Sequence, residues 1–152
     1  PEHGALAMSV GVLLGVALRG KPCRVYSSDV RVRIEATDMA AYPDLSVVCQ
    51  RLEPAADDAH AIKNPVLLVE VLSDSTEAYD RGEKAAHYRR IPSLREYLLV
   101  SQRVPRLELY RRTDDGHWEL YEARSGESLT LTSIQTTLAT DDVYRDPLAG
   151  AG

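Results

Sequence analysis

The spacing of apolar residues changes several times along the chain, and each change marks an element. From Ala5 to about Leu18 small and aliphatic residues run almost without a break, and Gly20 follows. At ~14 residues the run falls short of a bilayer span, and no basic lead precedes it. It predicts a helix packed on a core and ended by glycine, rather than a signal peptide or a membrane anchor. Pro22–Ile34 reads as extended, because Val30, Val32 and Ile34 alternate with Arg31 and Arg33. Asp29, in the same stretch, suits a turn or strand edge. Glu35–Ala41 predicts a turn, and Tyr42-Pro43-Asp44 opens a strand over Leu45–Cys49. Gln50–Asn64 is polar and rich in Asp and Ala, which predicts a loop or a short irregular helix.

The clearest strand is Val66–Leu72, apolar on both faces apart from Glu70 and therefore expected to be covered on both sides. Ser73–Thr76 offers helix N-caps. A helix over Thr76–Ile91, with a break near Gly82, is stopped by Pro92. Strands follow at Glu96–Ser101, Arg106–Arg112 and Trp118–Ala123, the last two joined by a turn containing Asp115-Gly116, and Leu129–Leu131 adds a short one. Asp141–Gly152 reads as a frayed tail. Helix, strands, helix, strands is the order of an α/β sandwich with a mixed central sheet, read as one domain over 1–152. The first residue is Pro1 rather than Met, which reads as a chain whose upstream residues are missing.

Composition narrows this picture. A hydrophobic share of 44% in 152 residues supports a full core. A net charge of −5 argues against a protein that coats nucleic acid over its whole surface. The segment Arg81–Arg95 is locally basic, with Arg81, Lys84, Arg89, Arg90 and Arg95 against a single acid, Glu83. It reads either as a solvated helix face or as a rim that meets nucleic acid. Cys23 and Cys49 read as reduced thiols on the core side of a cytoplasmic protein, with a single disulfide as the alternative, and neither they nor the four histidines have zinc-ligand spacing.

The candidate chemistry starts at Glu70. An ionised carboxylate inside an apolar strand needs a cation or a proton. Asp44, at the head of another apolar strand, has an ordinary reading as a turn residue. If the two strands are neighbours, however, the acids repel unless a metal lies between them, and oxygen ligands of this kind select Mg²⁺, Mn²⁺ or Ca²⁺ rather than zinc. Asp80, Lys84 and Tyr88 recur at helical spacing on one face, so Lys84 reaches the acids if that face looks at the sheet; otherwise Asp80 and Lys84 form a surface pair.

Pro43-Asp44, Glu70-Val71-Leu72-Ser73, Tyr79-Asp80-Arg81-Gly82-Glu83-Lys84, Tyr88-Arg89 and Ile91-Pro92-Ser93-Leu94-Arg95-Glu96-Tyr97 together resemble the Uma-two family of restriction-endonuclease-like proteins, within the PD-(D/E)xK nuclease superfamily. The resemblance covers about Pro22 to Tyr121. It implies a restriction-endonuclease-like core and a Mg²⁺- or Mn²⁺-dependent DNA endonuclease. Asp44 and Glu70 would be its metal ligands and catalytic acids, and Lys84 its catalytic lysine. His3, Asp80 and Tyr88 would be accessory, and Arg81, Arg89 and Arg90 would meet DNA. The signature lysine falls at position 72, where this chain has Leu72; Lys84 matches a lysine moved onto the following helix. By analogy a homodimer is expected. The main alternative is a nuclease-fold domain without activity that binds or assembles; a weaker one is a metal-dependent hydrolase of a small phosphoester.

Overall fold

The computed structural model describes residues 1–149; the remainder of the expected frayed tail, 150–152, lies outside them. Helix α1 (Glu2–Ala17) leads into β1 (Cys23–Ser27), β2 (Arg31–Ile34), β3 (Met39–Ala41), β4 (Leu45–Cys49), β5 (Pro54–Ala55), β6 (Asp58–Ile62) and β7 (Leu67–Val71). Two short helices, α2 (Glu77–Arg81) and α3 (Glu83–Tyr88), precede β8 (Glu96–Val100), β9 (Arg106–Arg112) and β10 (Trp118–Arg124). The hairpin β11 (Ser128–Leu131) and β12 (Thr136–Ala139) and helix α4 (Thr140–Tyr144) follow. The main sheet has the order β1-β4-β7-β8-β9-β10. Its pairs are antiparallel except β7 with β8, which are parallel and joined through α2 and α3.

Strand period decides which core each side chain enters. On β7 the odd positions Leu67, Val69 and Val71 face Leu6, Val10, Leu14 and Leu18 of the α1 region, with β11, β12 and Val143 of α4. Leu68, with Leu72 just beyond the strand, packs on the other side with Tyr88, Ile91, Leu94, Tyr97 and Leu99, and with Val32, Ile34, Ala41 and Ile62 of a second sheet. All five β7 residues are buried, as a strand covered on both faces requires.

Five expectations need correction. Glu35–Ala41 is not a turn throughout, because Met39–Ala41 forms β3 and pairs antiparallel with β2. Pro22–Ile34 is not one strand: a turn at Ser28–Asp29 separates β1, in the main sheet, from β2, in the second sheet, so the two halves pair with different partners. Gln50–Asn64 is not a loop, because β6 pairs parallel with β2 and antiparallel with β5. Its polar sequence misleads because the strand leaves Ala59 and His60 exposed and buries only Ala61 and Ile62. Cys23 and Cys49 are not free thiols; they stand opposite each other in the β1–β4 ladder and form a disulfide. Asp141 to Tyr144 is not frayed but lies in α4, where the Tyr144 hydroxyl donates to the carbonyls of Ser101 (2.6 Å) and Arg106 (2.9 Å). No helix among the described residues is long and apolar enough to cross a membrane.

Candidate active site

Register brings the two predicted acids together. Leu45 is opposite Val69 and Ser46 opposite Leu68 in the antiparallel β4–β7 pair, so one step further along the same ladder sets Asp44 beside Glu70. Because side chains alternate between faces, both point to the side of the sheet that carries α2 and α3. The Asp44 carboxylate accepts the Val71 N–H through Oδ2 at 2.7 Å. The same oxygen lies 3.3 Å from Nε2 of His3, which comes from the first turn of α1. Glu70 is 4% exposed, and its Oε1 accepts from the Tyr88 hydroxyl at 2.9 Å and from Lys84 Nζ at 3.4 Å. Each acid therefore has one oxygen anchored by the protein, while the other carries none of these contacts.

Asp80, Lys84 and Tyr88 do share a face that looks at the sheet, although the chain is interrupted at Gly82 (φ −103°, ψ −89°). Lys84 Nζ is 2.9 Å from Asp80 Oδ1, and the Thr76 hydroxyl donates to Asp80 Oδ2 at 3.1 Å. Tyr97, on β8, donates its hydroxyl to the Asp80 carbonyl at 3.0 Å and packs edge-on against Tyr88. The Tyr97 ring is buried, and its hydroxyl ties α2 to the sheet.

Electrostatics follow from crowding acids in a buried place. Burial pushes the Glu70 carboxyl up to about 8; Lys84 and Tyr88 oppose the shift, and the charges of Asp44 and Asp80 add to it. Burial works against the Lys84 ammonium too, but Glu70 and Asp80 outweigh it and hold its pKa above the ordinary lysine value. Burial and the neighbouring Glu70 also raise the phenols of Tyr88 and Tyr97, so both remain protonated donors.

The basic segment divides. Arg81 makes a two-pronged pair with Glu108 (2.9 and 2.6 Å) and donates to Glu77 at 2.8 Å, so its guanidinium is committed to holding α2 on β9. Arg81→Ala should accordingly cost about 2 kcal/mol of stability in a urea melt, since it removes the two-pronged partner of a largely buried Glu108 and leaves it Arg106 at 3.3 Å. Arg89 and Arg90 are exposed. They follow α3 near the start of β7 and β8, where Arg112 donates to the carbonyls of Arg89 and Ile91 and the Arg95 N–H bonds Val66. This is the opposite end of β7 from Val71 and Asp44.

Comparison with known proteins bears on this arrangement. Residues 1–141 match the Uma2 family, described as "Putative restriction endonuclease". Two proteins of Synechocystis sp. (strain ATCC 27184 / PCC 6803 / Kazusa) are similar along most of the chain. Uncharacterized protein slr1290 is 37% identical over 144 residues, 95% of this chain and 75% of its own. Uncharacterized protein sll1609 is 33% identical over 121 residues, covering 80% and 68%. A crystal structure from Anabaena variabilis ATCC 29413, titled as "a putative nuclease belonging to DUF820", superposes with a TM-score of 0.76 over 95% of this chain and 80% of that one. At 14% identity that likeness shows a shared fold.

Proposed function

Because the chain belongs to the Uma2 family, described as "Putative restriction endonuclease", we propose that it hydrolyses phosphodiester bonds in DNA, with Mg²⁺ or Mn²⁺ held by Asp44 and Glu70. One observation carries this reading: two carboxylates meet on one face of the main sheet beside a buried lysine.

The donor set fits such an ion. Among the described residues no three His, Cys, Asp or Glu side chains converge into a cage, and Mg²⁺ is ordinarily bound by one or two carboxylates, with water and phosphate oxygens completing its shell. The second oxygens of Asp44 and Glu70 are the atoms that would hold it. Val71 N–H and His3 fix the Asp44 carboxylate, while Tyr88 and Lys84 fix that of Glu70. When bound, a divalent ion there lowers the pKa of a water and offsets charge on the scissile phosphate.

Lys84 completes the set from the helix and stands in for the lysine that Leu72 replaces. Its raised pKa makes it a fixed cation rather than a proton acceptor. Its role is to hold a phosphate oxygen and stabilise the charge that gathers there, with Asp80 setting its position. Lys84→Met should lower kcat by about a hundredfold even at saturating Mn²⁺, checked by single-turnover cleavage alongside Mn²⁺ titration.

Two measurements test the reading. Titration calorimetry with Mn²⁺ near pH 7, in buffers of different ionisation enthalpy, should show binding with release of a proton from Glu70, because the metal-free carboxyl is largely protonated there. A supercoiled-plasmid assay should then show nicking that needs the metal. Metal binding without nicking would instead favour the inactive binding-module reading, to which Leu72 at the signature position already points; no binding at all would refute the metal centre.

A further inference from the structure

Two exposed tyrosines are linked to these acids, Tyr42 by sequence and Tyr79 through Lys84, and neither belongs to either hydrophobic core. Tyr42, two residues before Asp44, is 53% exposed, and Tyr79, on α2, is 40% exposed. Most large aromatic surface elsewhere in this part of the fold is buried, as with Tyr88 and Tyr97. Leaving a phenol ring in water forgoes the burial that makes aromatics useful in a core, so what these rings meet outside the chain becomes the question.

Both rings are braced. The Arg31 guanidinium lies 5.7 Å from the Tyr42 ring centre, and its Nε donates to the Tyr42 hydroxyl at 2.9 Å. Lys84 Nζ lies 5.4 Å from the Tyr79 ring centre while also contacting Glu70. Each ring is thus held by a cation and keeps much of its surface open, and each is tied by sequence or by contact to a residue of the acidic centre. Tyr42 precedes Pro43 and Asp44 in the chain, and Tyr79 lies against Lys84. A flat, rigid, open π-surface next to a phosphodiester-cutting centre suits the face of a nucleobase, which can stack there only when unpaired or splayed from its neighbours.

Resting on the nuclease reading above, we infer that Tyr42 and Tyr79 are stacking platforms for unpaired bases flanking the scissile phosphate, so that the preferred substrate is single-stranded or frayed DNA rather than continuous duplex. The exposed arginines Arg89 and Arg90 lie at the far end of β7 from the acids.

The test uses the full chain with Ca²⁺, to allow binding, and oligonucleotides carrying 2-aminopurine at successive positions, in single-stranded, forked and blunt-duplex form; cleavage is then measured with Mg²⁺ or Mn²⁺. Expected are quenching at one or two adjacent positions in the single-stranded and forked probes, and about tenfold weaker binding of the duplex. Tyr42→Leu and Tyr79→Leu should each weaken single-strand binding about tenfold and abolish the quenching. Tyr42→Phe and Tyr79→Phe should retain both, which separates loss of stacking from loss of fold. Equal binding and cleavage of blunt duplex, or Leu variants that bind like wild type, would overturn the stacking role while leaving the nuclease reading intact. Failure to bind or cut any of these DNAs would remove both.

Discussion

Asp44→Asn is expected to reduce metal-dependent DNA cleavage at least about a thousandfold, because it removes one of the two proposed anionic ligands while leaving the site otherwise intact. The amide oxygen of Asn can still accept the Val71 N–H that Asp44 now accepts at 2.7 Å, so the start of β4 remains anchored and the melting temperature should stay within a few degrees of wild type. Glu70→Ala should abolish cleavage to the same extent but is a harsher change. It leaves the Tyr88 hydroxyl and Lys84 ammonium without their shared partner in a buried place. Plasmid nicking with Mn²⁺, read beside thermal melts, separates the two effects. Cleavage within tenfold of wild type in both variants would refute the acidic centre.

Glu70→Gln should stabilise the metal-free protein, and by more as pH rises. The native carboxyl has its pKa pushed up to about 8 from an ordinary 4.5. An acid raised on folding keeps its proton in the native state after the unfolded chain has lost it, so the unfolded state binds fewer protons and stability falls with pH. The loss begins near pH 4.5, where the unfolded carboxyl ionises, and is complete above about 8, where the native one does too. Glutamine has no proton to lose and removes that slope. Part of the gain is returned because Lys84 loses an anionic partner, which leaves a net difference on the order of 2 kcal/mol at pH 8. Urea melts in EDTA between pH 4 and 9 should show two curves that meet at the acid end and diverge upward. Curves that stay parallel would show that Glu70 is not the group crowded by burial and by Asp44 and Asp80. Saturating Mn²⁺ should reverse the order, because only the wild-type carboxylate pair gains from the ion.

What could be read along the chain was local. The apolar run of α1, the doubly covered strand around Glu70, the break at Gly82 and the Asp115-Gly116 hairpin all leave their mark within a few residues, because helix and strand periods are set by the backbone itself. The grouping of Asp80, Lys84 and Tyr88 was legible for the same reason, and the family motifs tied it to Glu70 and Asp44. β5, β6 and α4 were not legible: they are short, mostly polar segments that become regular only by pairing or packing with β2, α1 and the β8–β9 connection.

Sequence alone therefore determined which residues could form a nuclease-like centre and on which kind of element each would sit. The tertiary structure decided their meeting: the β4–β7 ladder sets Asp44 across from Glu70, and the β1–β4 ladder sets Cys23 across from Cys49. It also turned Arg81 inward to Glu108 and left Tyr42 and Tyr79 facing water. The reason is that strand order and register are properties of hydrogen-bonded partners distant in the chain, and no local period encodes which strand will lie alongside which.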